Sequence, residues 1–394
     1  MYTQTHRLIL AILFVLFYGS CQEKEQEEVP DQAGFSLDFP AISDKLLERM
    51  DIQAGERVIL MGLPGDFDAL IPLLQKGISA AGAEYLGALS MGDIQPESWA
   101  TDFTRGAEGK DLTTLTEYFQ AVDLGIMLPG ATVTHTPYKA MQDVLKGNSG
   151  RTLHFHWAGA YDLSGQELPR DDTIDAFYQK ALLATDYLQL AERQQQFEAA
   201  MRGKRVNVRT PAGTDISFEI GERPVTKQDG NASAARAAAG KNLIDREVEL
   251  PAGAIRVAPI EESVEGTIVF PRMQWNGEWV DGLSMNFEKG RLVDFTAAHN
   301  SEAVEAELAQ AGEAGRSFRE FALGLNPDLA IQRSGRAWMP YYGYGAGVVR
   351  LSLGDNTELG GQVGGDYVRW NFFPDASVKV GEDLWVKDGE LLKP

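Results

Sequence analysis

The chain has 394 residues, of which 44% are hydrophobic and 24% are charged, a composition typical of globular proteins and long enough for two domains. Its formal net charge of −21 disfavours a nucleic-acid partner, because a phosphate backbone is bound by basic surfaces. Its single cysteine cannot form a disulfide within the chain. We therefore expect a globular protein with no disulfide framework and no nucleic-acid partner.

The first twenty residues have the pattern of a bacterial lipoprotein signal peptide. His6 and Arg7 precede ten consecutive apolar residues, 8–17, a run too short to cross a bilayer. Two small residues then lead to Cys21, as at the lipidation site of a lipoprotein. We expect residues 1–20 to be removed and Cys21 to carry a lipid anchor in the outer membrane of a bacterial cell envelope. An ordinary signal peptide with an incidental cysteine is the alternative.

An acidic tether is predicted over residues 21–34. After the cysteine it reads QEKEQEEVPDQAG, which has nothing to bury and favours a solvated segment. Two interpretations of its acidic run are open. It is either a plain spacer or a signal that sends the lipoprotein to the cell surface, so the face of the membrane is left open.

Residues 35–204 alternate apolar strand patterns with amphipathic helix patterns. This order predicts a parallel sheet covered by helices. We expect strands at 58–62, 84–89 and 124–128 and helices at 68–81 and 112–121, followed by one long helix at 178–201.

Two histidines are predicted to share one face of a strand over residues 153–157. His154 and His156 are two positions apart, so both imidazoles would point the same way. They are either a metal-binding pair or part of a half-buried polar face. The polar face is favoured, because no third ligand follows nearby in the sequence.

The second half reads mainly as strands, with one helix. We expect strands at 267–270, 282–287 and 291–297, and a helix at 301–323 that carries Glu320 near its end. Between residues 338 and 347, aromatic rings and glycines alternate directly before a strand that carries Arg350. Aromatic rings with a polar tip often line ligand surfaces, so this segment is a candidate binding region.

Three segments of this half carry a family resemblance. They are LPAGAIRVAPIEESVEGTIVF at 250–270, VNVRTPAGTDISF at 206–218 and REFALGLNP at 319–327. Together they resemble the aminopeptidase T family of dinuclear metallopeptidases. The resemblance implies an N-terminal α/β domain with a parallel sheet, 35–204, and a C-terminal domain with a curled mixed β-sheet, 205–394. It also implies a homodimer.

The same resemblance implies six metal-ligand positions, of which this chain keeps one. The family holds two divalent ions through two glutamates, a histidine, a tyrosine and a His-x-Asp triplet. Glu320 is the retained catalytic-site position. The other five positions are replaced, namely by Ala254, Arg350, Thr357, Arg369 and Asn371.

The replacements oppose metal binding on electrostatic grounds. Two neighbouring dications repel each other, so their site needs carboxylates to neutralise them. An arginine stays protonated and offers no lone pair. A guanidinium paired with Glu320 would therefore stand in for a metal ion, and no cofactor is expected.

The sequence thus predicts a lipid-anchored, metal-free homologue that binds a peptide or another ligand in the former active-site cleft. The predicted cleft residues are Tyr341, Tyr342, Tyr344, Arg350 and Arg369. One alternative is an active aminopeptidase whose two ions, zinc, cobalt or manganese, are held by substitutes such as Glu320, Asp355, Glu358 or Asp366. Another is a purely structural or dimerising surface protein. Whether the chain is an enzyme is left open.

Overall fold

A computed structural model describes residues 35–157, 160–163, 166–240, 243–333, 337–340 and 343–393, without the side chains of Leu243 and Ile244. The predicted signal peptide, Cys21, the acidic tether, Tyr341 and Tyr342 lie outside these described residues. Within the described ranges, no helix has the length and apolar character needed to cross a membrane.

Helices and strands alternate in the first half, and strands dominate the second. The helices are α1 (Phe39–Met50), α2 (Leu70–Ala80), α3 (Asp102–Ala107), α4 (Leu112–Phe119), α5 (Thr136–Lys146), α6 (Asp172–Ala184), α7 (Tyr187–Met201), α8 (Ala234–Ala239) and α9 (Ser301–Gly315). The first eleven strands are β1 (Arg57–Gly62), β2 (Glu84–Ser90), β3 (Leu124–Met127), β4 (Arg151–Phe155), β5 (Tyr161–Asp162), β6 (Val206–Arg209), β7 (Asp215–Phe218), β8 (Thr226–Lys227), β9 (Glu247–Leu250), β10 (Ala254–Val257) and β11 (Glu265–Val269). The others are β12 (Met273–Trp275), β13 (Glu278–Val280), β14 (Ser284–Glu288), β15 (Arg291–Thr296), β16 (Phe318–Gly324), β17 (Trp338–Met339), β18 (Val349–Gly354), β19 (Val368–Phe373), β20 (Ser377–Val380), β21 (Asp383–Lys387) and β22 (Glu390–Leu391).

A parallel sheet forms the core of the first half. Its order is β2-β1-β3-β4-β9, and all four pairings are parallel. The residues of β1 after Arg57 are all buried, as expected of a strand covered by helices on both faces. The fifth strand, β9, lies beyond the boundary predicted between residues 204 and 205. A segment of the second half therefore completes the sheet of the first.

Two antiparallel sheets form most of the second half. One has five strands in the order β19-β18-β16-β10-β8, and the other has eight in the order β15-β14-β11-β7-β6-β20-β21-β22. Phe218 of the larger sheet packs on Phe321 of the smaller, with ring centroids 5.1 Å apart. The predicted fold class, a parallel-sheet α/β part followed by a separate β-sheet part, is confirmed, although the sheets of the second part are antiparallel and not mixed as predicted.

The predicted single helix over 178–201 is wrong, because the chain breaks at Thr185. Thr185 has an extended ψ of 125° and ends α6. The side chain of Asp186 then accepts a hydrogen bond from the amide of Gln189 and starts α7. An Asp at this position is a strong helix N-cap, which is why two helices form where apolar periodicity predicts one.

The predicted helix over 301–323 is also wrong in its second part. Helix α9 ends at Gly315 after an interruption at Gly312, whose φ of +59° is not helical. The following segment is strand β16, which is buried throughout and pairs with both β10 and β18. The central place in a sheet overrides the helical propensity of nearby alanines. Glu320 therefore lies in the middle of a sheet.

Two of the family-like segments contact each other at the junction between the sheets. Residues 251–253 link β9 of the parallel sheet to β10 of the antiparallel sheet. The buried side chain of Asn326 donates to the carbonyl of Ala252 at 2.7 Å and to the hydroxyl of Thr185 at 3.0 Å. Gly253 has no room for a side chain, because a Cβ there would lie 2.4 Å from the carbonyl oxygen of Tyr344.

We expect Asn326→Ala to lower the free energy of unfolding by about 2 kcal/mol, because it leaves the buried carbonyl of Ala252 without this donor. Urea denaturation followed by tryptophan fluorescence measures the change. The control is Asn286→Ala at an exposed position of β14, which is expected to cost less than about 0.5 kcal/mol. Equal costs for the two variants would show that Asn326 does not hold the junction.

Candidate functional site

The position predicted to replace the first metal-binding glutamate is a buried alanine. Ala254 begins β10, opposite Gly324 of β16. Its carbonyl accepts hydrogen bonds from the amide of Gln228 at 2.8 Å and from Nε2 of Gln194 at 3.2 Å. Its side chain offers no donor atom to a metal. Two residues later on the same face of β10 stands Arg256, which sequence reasoning missed.

The retained glutamate, Glu320, is fully buried and surrounded by arginines. Arg256 donates to its Oε2 through Nε at 3.1 Å and through Nη2 at 2.9 Å. Arg350 Nε is in ion-pair contact with Oε1 at 2.9 Å, and the hydroxyl of Ser352 donates to the same oxygen at 3.1 Å. Arg319 Nε lies 3.9 Å from Oε2. The predicted pairing of an arginine with Glu320 is thus confirmed, and Arg256 adds a second close pair.

The charges of these arginines determine the ionisation of Glu320. Burial alone would raise the pKa of Glu320, but the positive charges of Arg256, Arg350 and Arg319 outweigh burial. They hold the pKa of Glu320 well below its usual range. The carboxylate is therefore ionised at neutral pH, and its negative charge is already compensated.

Glu358 extends this cluster toward solvent. One carboxylate oxygen, Oε1, accepts from Arg256 Nη2 at 3.2 Å and also from Arg319. The Glu358 side chain is 31% exposed, whereas Arg256 and Arg319 are buried. Positive and negative groups therefore alternate from the buried Glu320 to the surface. We call these five residues, Arg256, Arg319, Glu320, Arg350 and Glu358, the arginine-glutamate cluster.

Arg369 and Asn371, two of the residues predicted to replace metal ligands, lie on the face of β19 opposite the arginine-glutamate cluster. Strand pairing sets Arg350 opposite Phe372 and Ser352 opposite Trp370, so these side chains share a face. Arg369 and Asn371 consequently point to the other face. Neither of them contributes to the surroundings of Glu320.

Both side chains have structural partners on that face. The Arg369 guanidinium lies 3.6 Å from the ring centroid of Trp275 and bonds Glu307 at 2.6 Å. Asn371 Nδ2 donates to the carbonyl of Leu351 at 3.0 Å.

Thr357 and the remaining substitute carboxylates also lie apart from Glu320. The amide and hydroxyl of Thr357 both donate to Asp355 Oδ1, at 2.8 and 2.6 Å. The other oxygen of Asp355 accepts from the amide of Gly365 at 2.7 Å. Asp366 is exposed to solvent. Of the four carboxylates proposed as substitute ligands, Glu320 and Glu358 are joined through Arg256, whereas Asp355 and Asp366 do not take part in that cluster.

These donors do not fit a pair of divalent ions. Within the described ranges, no group of three or more His, Cys, Asp or Glu side chains is placed to hold a metal. A cation at Glu320 would meet the guanidinium groups of Arg256 and Arg350 at contact distance, and these offer no lone pair. The geometry instead suits a closed network of ion pairs.

The two predicted strand histidines belong to a second buried polar cluster. His154 of β4 and Glu249 of β9 are paired residues in the parallel sheet. The hydroxyl of Tyr138 lies 2.9 Å from His154 Nδ1 and donates to Glu247 Oε1 at 3.0 Å. Burial lowers the pKa of both His154 and His156 to about 4, so both imidazoles are neutral at pH 7.

Glu247 is the unusual carboxyl of this second cluster. Burial raises its pKa from 4.5 to about 7, and the negative charges of Glu358 and Glu249 add to the shift. The electrostatic effect of Glu358 links this cluster to the arginine-glutamate cluster. Sequence reasoning missed Glu247 and Glu249, although the alternation in EVEL places both on one face of a strand.

A cleft of about 1200 Å³ lies above the arginine-glutamate cluster. Arg319 and Glu358 contribute to its lining, together with Trp279, Trp370 and Phe372. Most of its wall is aromatic or aliphatic, as is common in sites for organic ligands and peptides.

Of the predicted cleft residues, Arg369 lines this cleft. Tyr344 and Arg350 are buried beneath it, since the Tyr344 hydroxyl donates to Glu249 and Arg350 contacts Glu320. Tyr341 and Tyr342 lie outside the described residues.

Residues 185–339 match the family model described as thermophilic metalloprotease (M29). The predicted family resemblance is confirmed. The matched residues include α7, β10 and β16, and with them Ala254 and Glu320. No curated protein matches the chain.

Two solved structures share the fold over almost their whole length. A 2,5-dihydroxypyridine dioxygenase from Pseudomonas putida KT2440 has 15% identity and a TM-score of 0.58, covering 91% of this chain and 99% of its own. Wild-type AmpT from Thermus thermophilus has 14% identity and a TM-score of 0.57, covering 90% and 99%. At these identities the likeness establishes the fold alone.

We expect Glu320→Gln to lower the free energy of unfolding by about 3 kcal/mol, because it removes the negative charge that compensates buried arginines. The loss is expected to be the same with and without a chelator. Urea denaturation in both conditions measures it.

The matched control for Glu320→Gln is Ser352→Ala, which removes one hydrogen bond to the same carboxylate without changing any charge and is expected to cost about 1.5 kcal/mol. A Glu320→Gln variant as stable as the wild type would rule out the stabilising ion-pair network.

A second prediction concerns pH. Because the folded protein keeps a proton on Glu247 up to a pKa of about 7, and the unfolded chain releases it near 4.5, the wild type loses stability as pH rises through this window. Glu247→Gln has no such proton. The free energy of unfolding of Glu247→Gln, compared with that of the wild type at the same pH, is expected to rise by about 3 kcal/mol between pH 4.5 and pH 8. Urea denaturation at several pH values measures both proteins. Parallel pH profiles of the wild type and Glu247→Gln would contradict the raised pKa of Glu247.

Proposed function

We propose that this chain is a metal-independent homologue of the thermophilic metalloproteases that binds peptides in its cleft. The observation that carries the proposal is the contact of two guanidinium groups, from Arg256 and Arg350, with the carboxylate of Glu320. In this arrangement the retained glutamate is neutralised by the protein itself. A divalent ion would have to displace buried arginines to reach it.

The cleft above this cluster supports a binding role. It is large enough for several residues of a peptide, and its wall combines aromatic rings with charged groups from Glu358 and Arg369. The ion pairs of the arginine-glutamate cluster lie beneath the cleft and leave its interior open. A site closed against metal ions can therefore still accept a peptide.

The cellular setting is also proposed. The leader and Cys21 support a lipoprotein anchored in the outer membrane of a bacterium, with the acidic tether as its spacer. The face of the membrane is left open, and the net charge disfavours a nucleic-acid partner. Assembly as a homodimer rests on the family resemblance alone.

The test measures metal content and hydrolysis together. The chain from Gln22 onward is supplied with zinc, cobalt or manganese, freed of excess metal, and examined by plasma mass spectrometry and by hydrolysis of leucine amide. We expect fewer than one ion per chain and no hydrolysis. Two ions with hydrolysis would overturn the proposal and establish the alternative, an active aminopeptidase with relocated ligands.

The Glu320→Gln variant is the control for stray metal. Ions that bind equally well to this variant do not occupy the family site, because they do not need its retained ligand. Peptide binding is measured separately, by retention of a random heptapeptide pool on the immobilised protein. Absence of any retained peptide would leave the metal-free protein without the proposed function.

A further inference from the structure

Strand β19 forms one edge of the five-stranded antiparallel sheet. The order β19-β18-β16-β10-β8 places it at the end, and no strand among the described residues pairs with its outer side. Val368 and Trp370 on this strand are 46% and 37% exposed. Edge strands with accessible main-chain groups are sites where another extended chain can add to a sheet.

The register identifies which main-chain groups face outward. The amide of Asp355 donates to the carbonyl of Tyr367 at 2.8 Å, so these two residues form a hydrogen-bonded pair. Two residues further along each strand, Leu353 stands opposite Arg369 in the same register. Because antiparallel strands alternate, the odd-numbered residues of β19 turn their main-chain groups toward β18. Val368 and Phe372 therefore direct their amide and carbonyl groups to the outer edge.

This outer edge lies inside the cleft. Trp370 and Phe372 line the cleft from one face of β19, whereas Arg369, with Gln274 and Trp279 of the β12–β13 hairpin, lines it on the other. A cleft that reaches both faces of an edge strand passes along its edge. The outward main-chain groups of Val368 and Phe372 are thus accessible from the cleft.

The charges at the cleft favour a cationic ligand. The buried Arg319 is paired with Glu358, and Arg369 is paired with Glu307. Glu167, by contrast, is an exposed carboxylate of the lining. A ligand entering the cleft therefore meets the negative charge of Glu167, whereas both arginines of the lining are already paired with carboxylates.

We propose that an extended peptide with apolar side chains at alternate positions and a cationic group binds by adding a strand to the outer edge of β19. The inference rests on the proposed function, because it specifies how the peptide occupies the same cleft. Alternate side chains of the added strand contact Trp370 and the cleft wall, and its amides and carbonyls bond Val368 and Phe372. Main-chain pairing supplies affinity for many sequences, whereas the aromatic wall and the carboxylates select among them.

The test compares three pools of random heptapeptides on the immobilised chain from Gln22 onward. One pool contains a lysine and free amides, the second is the same pool with N-methylated amides, and the third has glutamate in place of lysine. We expect the wild type to retain the first pool at least about fivefold better than the N-methylated pool, the factor expected from losing one hydrogen bond. We also expect it to retain the first pool better than the glutamate pool, because glutamate is repelled by the carboxylate of Glu167.

Val368→Pro tests the edge on the protein side. Val368 is the first residue of β19, and its amide points outward, so proline removes an outward donor while the pairing with β18 remains. The control, Val368→Ala, shortens the side chain and keeps the amide. We expect about fivefold weaker retention of the first pool by the proline variant than by the alanine variant. Circular dichroism checks that both variants are folded.

Each outcome decides between the two proposals. Equal retention of the free and N-methylated pools by the wild type would overturn strand addition while leaving peptide binding intact. Equal retention of the lysine and glutamate pools would overturn the cationic preference. No retention of any pool would overturn peptide binding itself, and with it the inference drawn here.

Discussion

The buried carboxylate of Glu320 is the constraint on which the rest of the site depends. An isolated charge in a protein interior costs several kcal/mol, so Glu320 at the centre of a sheet requires compensation. A metal ion and a set of guanidinium groups are alternative ways to provide it. Once Arg256 and Arg350 contact the carboxylate, a divalent ion gains little there and is repelled by both. The buried arginines therefore disfavour a metal ion at Glu320.

Sequence reasoning predicted the elements whose signals are local. The apolar run of β1 was accessible from residue type and spacing, and the pairing of Glu320 with an arginine was accessible from the ligand positions that the family resemblance implies. Arg256 was missed although it stands two residues after Ala254 in a strand, which places it on the same face. The orientation of Arg369 and Asn371 was not accessible, because a shift of one residue in register moves a side chain to the opposite face. The contact of His154 Nδ1 with Glu247 Oε1, at 3.4 Å, depends on β9 joining the distant strand β4, and no local pattern encodes that pairing.

The fold by itself carries little information about chemistry. Two proteins of similar TM-score bear names that differ in kind, one a dioxygenase and the other AmpT. The fold therefore does not determine the function, which has to be argued from the side chains. In this chain those side chains form an ion-paired cluster beneath an open cleft.

The short link between the two kinds of sheet also limits how the molecule can move. Residues 251–253 have little freedom, because the carbonyl of Ala252 accepts from Asn326, and the amide and carbonyl of Gly253 bond Gln228 and Leu325. A hinge between the parallel and antiparallel parts would have to break these bonds. The β12–β13 hairpin and the short β5–β17 ladder contribute Trp279, Tyr161 and Met339 to the wall of the cleft. Such small two-stranded elements have fewer hydrogen bonds to lose than the large sheets, so we expect any widening of the cleft to occur at this part of its wall.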